Sequence, residues 1–343
     1  MRLLITGGAG FIGSNLLHYW CEKHPDDRIV CMDKLTYAGH LESIRSLIDR
    51  GSIEFVKGDI CLREDVGRAM RGADAVIHLA AESHVDRSID KPDEFIKTNV
   101  FGTFTLLDEA RRSNIKRFHH VSTDEVFGSL SLESRKKFNE QTRYDPRSPY
   151  AASKAASDHL VRSYGETYGI NVTVSNCGNN FGPFQHPEKL IPRFITLLLS
   201  GRKVPLYGDG LNVRDWIYVL DHCSAIDTIV NRGKSGGTYM VSGRNELSNI
   251  ELTRKILSEM GFSEDRIDYI RDRPGHDRRY ALSDSKLRKE LGWKPSKRLE
   301  EALRTTIGWY VENEWWWKPL GDNYSFSVGR ETSSNRDALR SGL

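Results

Sequence analysis

A chain of 343 residues exceeds a typical single domain, which predicts one large unit or two interdependent ones with room for a cleft. Its 38% hydrophobic and 28% charged residues are an ordinary globular balance, and no apolar run nears the roughly 18 residues of a membrane span, so a soluble protein with no membrane partner is expected. Against 47 acidic residues, 50 basic ones leave a net charge of +3, which gives no field for nucleic acid, and five cysteines without a CxxC pair argue against a metal site or a disulfide framework.

The N-terminus enters the first predicted strand, Leu3–Thr6, without the longer apolar region of a secretory signal, so the cytoplasm is the expected location. Gly8-Ala9-Gly10-Phe11-Ile12-Gly13 follows directly and opens an amphipathic stretch. In that strand-turn-helix setting the glycines allow a tight turn and let backbone N–H groups and a helix N-terminus approach a pyrophosphate. Gly7 offers a second register, Gly7-x-x-Gly10-x-x-Gly13. The next strand, Ile29–Asp33, ends twenty residues after Gly13 on a carboxylate that can accept from ribose hydroxyls and repel a 2′-phosphate, predicting NAD over NADP. An isolated glycine turn serves equally well to pack a helix on a strand; strand, helix and Asp33 together turn the reading toward a cofactor.

Ile53–Lys57 is the third predicted strand, and Asp59 beyond it either caps a turn or touches adenine; spacing does not choose. Ala75–Leu79 is the fourth, with Leu79-Ala80-Ala81 small enough for a cofactor to lie close or simply to turn the chain. Phe118–Thr123, the fifth, delivers Ser122-Thr123-Asp124-Glu125 to a strand's carboxyl end, where open α/β sheets bind ligands. Adjacent Asp and Glu serve as acid and base when their surroundings separate their pKa values; the bland alternative is an acidic capping turn. Tyr150 and Lys154 share one face of a helix predicted from about Tyr150 to Tyr168. A nearby ammonium favours the phenolate, which makes Tyr150 a usable base toward a sugar hydroxyl. Asn171–Asn176 continues the rhythm as a sixth strand, and the alternation predicts an α/β fold with a Rossmann-type doubly wound parallel sheet.

Beyond Asn180 the rhythm weakens at Pro183, Pro187, Pro192 and Pro205, with helices near Asn249–Met260, Ser283–Leu291 and Leu299–Asn313. The division expected is an NAD-binding domain with the catalytic residues over 1–180 and a smaller, mixed nucleotide-sugar lobe over 181–320, part of which returns to the first domain. The polar stretch 321–343 reads as a mobile tail.

These segments carry a resemblance over roughly residues 1 to 320. It rests on Gly7 to Gly13, on Asp33-Lys34-Leu35-Thr36-Tyr37-Ala38-Gly39, on Leu79 to Ser88 (LAAESHVDRS), and on Ser122 to Val126. It continues through Ser148-Pro149-Tyr150-Ala151-Ala152-Ser153-Lys154, Asn179-Asn180-Phe181-Gly182-Pro183, Pro187 to Pro192 (PEKLIP), Arg214-Asp215-Trp216 and Asp272 to Arg279 (DRPGHDRR). In that order the set resembles the dTDP-glucose 4,6-dehydratases, a family of extended short-chain dehydrogenases/reductases that use NAD.

The resemblance implies a reaction without net redox on a nucleotide sugar. Tyr150, backed by Lys154, would deprotonate the C4 hydroxyl while hydride passes to NAD; Glu125 would remove the C5 proton and Asp124 protonate the departing C6 hydroxyl, with Thr123 orienting the C4 oxygen. The cofactor site it implies comprises Gly7, Gly10, Phe11, Ile12 and Gly13 at the turn, Asp33, Lys34, Leu35 and Thr36 after the second strand, and Asp59 and Ile60 after the third. Leu79, Ala80, Ala81, Ser83, Thr98, Tyr150, Lys154 and Asn180 complete it. The sugar and nucleotide would meet Ser83, Thr123, Asn179, Lys189, Leu190, Pro205, Leu206, Tyr207, Arg214, Asn249, Asp272, Arg273 and His276. By composition alone, the run from Arg271 to Arg279 is a solvated charged loop. By the same analogy, a homodimer would form through the helices around Asn99–Arg112 and from Tyr150.

The chain departs from the family pattern at Phe127 and Phe181, where tyrosine is usual, at Gly178, where serine is usual, and at Tyr239 to Gly243. The closest rival, a 4-epimerase, shares the glycine turn and the Tyr/Lys pair but needs no acid/base carboxylates, so Asp124-Glu125 opposes it; a 4,6-dehydratase of another nucleotide sugar stays open, because the base is read by loop residues whose geometry the sequence does not give. An NAD-binding sensor without turnover needs none of Tyr150, Lys154 and Glu125, and all are present.

Overall fold

The computed structural model describes residues 1–272 and 275–321. Six short runs rich in β-branched residues form strands: β1 (Arg2–Thr6), β2 (Arg28–Asp33), β3 (Ile53–Lys57), β4 (Ala75–His78), β5 (Arg117–Thr123) and β6 (Val172–Cys177). Each lies within one residue of its predicted bounds. Apart from the edge strand β3, they read as near-continuous apolar runs because helices cover both faces of the sheet and little of these strands meets water.

Later in the chain come β7 (Asn179–Phe181), β8 (Val204–Tyr207), β9 (Val213–Tyr218), β10 (Thr238–Val241), β11 (Glu246–Ser248) and β12 (Ile267–Ile270). The main sheet is wholly parallel in the order β10-β6-β5-β4-β1-β2-β3. The direction of strand winding reverses between β1 and β4, so the crevice beyond their carboxyl ends is where such a sheet binds ligands. One face packs the helices Phe11–Lys23 and Val219–Arg232, with Leu16, Leu17, Trp20, Ile226 and Val230 in one core. The other packs Arg63–Met70, Thr103–Arg112 and Pro149–Tyr168.

The second lobe is a three-stranded mixed sheet, β11-β9-β7, and a parallel pair, β12-β8. The helices Leu190–Leu199, Asn249–Glu259 and Leu299–Glu312 pack around it on a core that includes Phe194, Trp216, Ile256 and Tyr310. Ser248 and Glu251 form a reciprocal capping box that starts Asn249–Glu259, as the Ser-x-x-Glu spacing requires. The sheet's edge strand β10 and the helix Val219–Arg232 both come from beyond residue 181, so the chain crosses to the second lobe and back. The expected tail lies outside the described residues except for Gly321, which ends the helix Glu314–Gly321. Among the described residues, no helix is long and apolar enough to cross a membrane.

Candidate active site

The turn after β1 is as tight as its glycines allow. Gly7 has φ of 73°, and a Cβ there would stand 2.6 Å from Ala80 N; one on Gly13 would stand 2.1 Å from the Gly7 carbonyl. Only glycine lets β1, the β4 turn and the helix Phe11–Lys23 approach so closely. That helix has no side-chain cap at Gly10 and no acidic residue in its first turn, which suits its positive end to a diphosphate. The turn opens on a cleft of about 320 Å³, of a size for a bound ligand, that runs along the carboxyl ends of β1, β2, β4 and β5.

Gly7, Gly10, Phe11, Ile12, Gly13, Asp33, Lys34, Thr36, Asp59, Ile60, Leu79, Ala80, Ala81, Ser83, Thr98, Tyr150, Lys154 and Asn180 all line this cleft. Leu35 does not. Its backbone sits at φ 57°, its N–H donates to Asp33 Oδ1 at 2.8 Å, and its side chain packs into the core, so it serves the cleft by holding Asp33. Ala9 N–H holds the other carboxylate oxygen at 2.9 Å. Lys34, next in the chain, is paired with Asp59 at 2.8 Å, while Asp59 Oδ1 caps the following turn by accepting from Cys61 N–H. An acceptor-only Asp33 with its neighbouring ammonium already engaged fits two ribose hydroxyls and opposes a 2′-phosphate. The residues present therefore fit NAD.

Thr98 reaches the cleft from a π-helical segment, Ile96–Gly102, where the predicted helix around Asn99–Arg112 begins. Such segments recur at functional sites because they redirect side chains and free backbone groups. Here Asn99 exchanges hydrogen bonds with both backbone groups of Glu82 and donates to Ser153 Oγ, tying the loop after β4 to the helix that carries Tyr150. The sequence reading missed Asn99; an amide inside a helix is not by itself a signal.

Thr123, Asp124, Glu125, Tyr150 and Lys154 meet at the end of this cleft. Ser148 caps the helix Pro149–Tyr168 and Pro149 occupies its first turn, which fixes where Tyr150 and Lys154 project. Asp124 is buried, and burial, the Glu125 carboxylate and Asp215 raise its pKa well above the usual carboxylate range, against Arg214 and Thr123. Glu125 is only half-buried. The adjacent carboxyls thus sit in the unlike surroundings that separate an acid from a base. Thr123 Oγ1 donates to Asp124 Oδ1 at 3.3 Å and accepts from Glu125 N–H at 3.2 Å, so one hydroxyl organises the pair.

The expected effect of Lys154 on Tyr150 is not what the structure shows. Burial dominates, with Glu125 and Cys177 adding to it, and pushes the phenol well above its ordinary value; only Thr123 opposes. Lys154 donates to the Val121 carbonyl at 2.8 Å with His120 Nε2 3.3 Å away. Its own pKa is drawn down to about 8 by burial, against Asp158 and Cys177.

A second cavity, of about 520 Å³, meets the first at Ser83, Glu125, Asn179 and Lys189. Of the residues expected to meet the substrate, Leu190, Pro205, Leu206, Tyr207, Arg214, Asn249 and His276 line it, and Thr123 lies in the first cleft. Asp272 is not on the lining and acts on it indirectly, through a 2.6 Å hydrogen bond with His276 Nδ1, and Arg273 lies outside the described residues. The run read as a solvated loop is partly interior: Arg279 is 7% exposed and paired with Glu246 at 2.7 Å. Arg214 is buried over the Tyr280 ring, 4.2 Å from its centroid, with hydrogen bonds to the carbonyls of Val213 and Asp277. Missed lining residues include Arg87, Glu188, Arg193 and Tyr280; Tyr280 stands just past the basic run, and its neighbours gave no hint of an interior ring.

Phe127 and Phe181 fall among apolar side chains, Phe127 against Phe138 and Phe181 against Tyr218, where a ring suffices. A Cβ on Gly178 would meet the Asp215 carbonyl at 2.5 Å, so the glycine sets how closely β9 approaches the cleft.

The family model described as GDP-mannose 4,6 dehydratase matches residues 4–306. A dTDP-glucose 4,6-dehydratase of Mycobacterium tuberculosis is 51% identical over 94% of this chain and 97% of its own length. The Escherichia coli protein of the same name is 47% identical over 92% and 94%. The crystal structure of the Streptomyces venezuelae dTDP-glucose 4,6-dehydratase with NAD bound superposes with a TM-score of 0.90 at 46% identity, covering 93% of this chain and all of that one. A Thermus thermophilus UDP-glucose 4-epimerase complex with NAD reaches 0.84 at 29% identity over 91% of this chain.

Proposed function

The chain belongs to the nucleotide-sugar 4,6-dehydratase family, and from that membership and the site we infer that it is an NAD-dependent hydro-lyase that converts dTDP-glucose to dTDP-4-keto-6-deoxyglucose. The observation that carries this reading is the Asp124/Glu125 pair beside Tyr150 and Lys154 in the first cleft, with Glu125 at its junction with the second cavity. A 4-epimerase, whose fold is shared, has no step that needs two carboxyls of unlike burial there.

Bound NAD supplies the hydride acceptor that is restored within each turnover, and a positive nicotinamide ring that favours the phenolate. Tyr150 accepts the proton of the C4 hydroxyl, which Thr123 holds in line. Lys154, which lines the same cleft, would hold the cofactor ribose beside Tyr150. The C4 ketone acidifies the neighbouring C–H, and Glu125 takes the C5 proton. Asp124, held protonated by its burial, gives its proton to the C6 oxygen as water departs. Glu125 then returns a proton to C5 as the hydride taken from C4 would be delivered to C6, which leaves the 4-keto-6-deoxy sugar with no net redox change.

In the cofactor cleft, the glycine turn and helix N-terminus would hold the diphosphate and Asp33 the adenosine ribose, with Ala80, Ala81 and Thr98 lining the passage toward Tyr150. In the second cavity, Arg214 and His276 face the substrate diphosphate, with Asn249, Pro205, Leu206 and Tyr207 around the nucleoside and Ser83, Asn179 and Lys189 nearer the sugar. Product analysis over a panel of nucleotide-activated glucoses tests this reading. The 4-keto-6-deoxy product is expected from dTDP-glucose with NAD; turnover only with another nucleotide, or only with NADP, overturns it.

The segment Ile96–Gly102, with the helix that follows it, lies beside the helix Pro149–Tyr168, and together they expose Ile96, Phe101 and Tyr168, each about half. That supports a homodimer through this face, expected as twice the chain mass in sedimentation equilibrium. All five cysteines are free, four of them buried, which supports a reducing cytoplasmic setting.

A further inference from the structure

The helix Pro149–Tyr168 carries Tyr150, Lys154 and Asp158 at successive turns of one face. The proposed chemistry uses the first two. Asp158 is fully buried and enters no step. Taking an ammonium out of water is unfavourable unless an opposite charge or hydrogen bonds compensate it. Lys154 is 4% exposed, and its two contacts, the Val121 carbonyl and the His120 ring, carry no formal negative charge.

The compensating charge stands one group further in. His120 Nε2, 3.3 Å from Lys154 Nζ, is also 3.2 Å from Asp158 Oδ1. Asp158 Oδ2 accepts from the Tyr144 hydroxyl at 2.6 Å and from the Asn176 amide at 3.3 Å. Tyr144 is itself held by Arg162 at 2.6 Å. Burial alone would raise the Asp158 carboxyl, but His120, Lys154 and Tyr144 together bring it down to about 2, so it stays ionised across the working range. The imidazole between the two charges is neutral: burial and Lys154 hold its pKa down to about 4, against Asp158. His120 Nδ1 has no hydrogen-bond partner among the described residues. Asp158 Oδ1 has none either, and an ammonium can only donate, so the 3.3 Å contact with Lys154 makes Nε2 its acceptor and leaves the carboxylate to act through space.

Other groups around Lys154 offer little opposing charge. From β4, His78 is buried and neutral, its pKa well below normal. From β6, burial pushes the Cys177 thiol up to about 12. The turn after β5 presents Asp124, held protonated, and Glu125, which faces the cavity junction; Tyr150 and Arg162 share the helix. Among the groups that oppose the effect of burial on Lys154, Asp158 acts more strongly than Cys177.

We propose that Asp158, which meets the same His120 nitrogen as Lys154, is the counter-charge that keeps Lys154 an ammonium in the cleft, and that His120 and Asp158 are positioning residues for the Tyr150/Lys154 pair. The proposal rests on the role given above to Lys154. Its sign is definite. Lys154 loses its proton as pH rises through its pKa, so removing Asp158 moves that loss to lower pH.

The test is Asp158→Asn, which keeps size and a hydrogen-bonding end. In protein labelled at lysine Cε, with Lys154→Met to assign the signal, the Lys154 resonance titrates near 8 in the wild type and at least about one pH unit lower in the variant. The basic limb of kcat/KM moves with it, so activity at about pH 8 falls by roughly fivefold to tenfold and recovers as pH is lowered. An unmoved Lys154 titration in folded variant, or an equal loss at every pH, overturns the proposal. A measurement on the unaltered protein guards against a variant that does not fold: the Asp158 carboxyl carbon is expected to keep its ionised shift from about pH 4 to about pH 9, and its protonation within that range overturns the proposal equally. Because these titrations need no substrate, a shifted Lys154 in a protein without dehydratase activity would sink the functional reading and leave the counter-charge standing.

Discussion

Replacing Tyr150 with phenylalanine lowers kcat by about 10²–10⁴-fold, the usual contribution of a general base, or roughly 3–5 kcal/mol of barrier. The substitution removes one oxygen and keeps a ring that packs edge-on to Phe95 at 6.2 Å, so thermal stability should change little. Cofactor and nucleotide binding should persist, because the glycine turn, Asp33, Arg214 and His276 are untouched. Calorimetric titration with dTDP and single-turnover assays separate the two effects: near-normal binding with oxidation at C4 nearly abolished is expected. Unchanged turnover removes Tyr150 from the mechanism. Thr123→Val should act differently, since the Thr123 hydroxyl joins Asp124 to the Glu125 backbone.

The parallel sheet was legible because its strands are buried on both faces and each is followed by a long amphipathic segment; those two periods, apolar run and helix, survive without any partner in view. β10 was not read as a strand of the main sheet. Four residues between a helix and a turn carry no period, and what brings Thr238–Val241 beside β6 is the packing of Val219–Arg232 on Phe11–Lys23, a contact between residues two hundred positions apart. Asn99 and the π-helical segment were hidden for a similar reason: the hydrogen bonds that stabilise them reach Glu82 and Ser153, far away in sequence.

Within the site, residues that define a turn or end a strand were readable, since Gly7, Gly13 and Asp33 act through backbone geometry that local sequence dictates. Residues that act through burial were not. Lys154 at four residues from Tyr150 suggested a charge aimed at the phenol, yet the ammonium turns toward Val121 and His120, and burial sets the pKa of both. Asp158 shares that spacing and was passed over, because nothing local marks which face of the helix is interior at its third turn. Arg279 and Arg214, read by composition as part of a charged surface or by family pattern as anion ligands, owe their burial to Glu246 and Tyr280.

Substrate carrying deuterium at C4 is expected to give product carrying it at C6, without added reductant, and in heavy water C5 should acquire solvent deuterium. Both follow from the placement of Glu125 and Asp124 beside Tyr150, where one cavity meets the other, so that oxidation, elimination and reduction share a single site. Glu125→Gln keeps the shape of the side chain and removes its basic oxygen. Oxidation at C4 then remains, because Tyr150 and Lys154 are intact, while elimination slows by about 10²–10⁴-fold and the 4-keto glucose nucleotide accumulates before quenching. The effect is specific to the base: Asp124 keeps its burial, and loses one of the charges that raise its pKa, so its proton leaves slightly more readily and cannot account for the block. Mass analysis of quenched samples reads both labels. Deuterium retained at C4, or lost to the medium with no C6-deoxy product, excludes a dehydratase and leaves an epimerising or net-redox reaction.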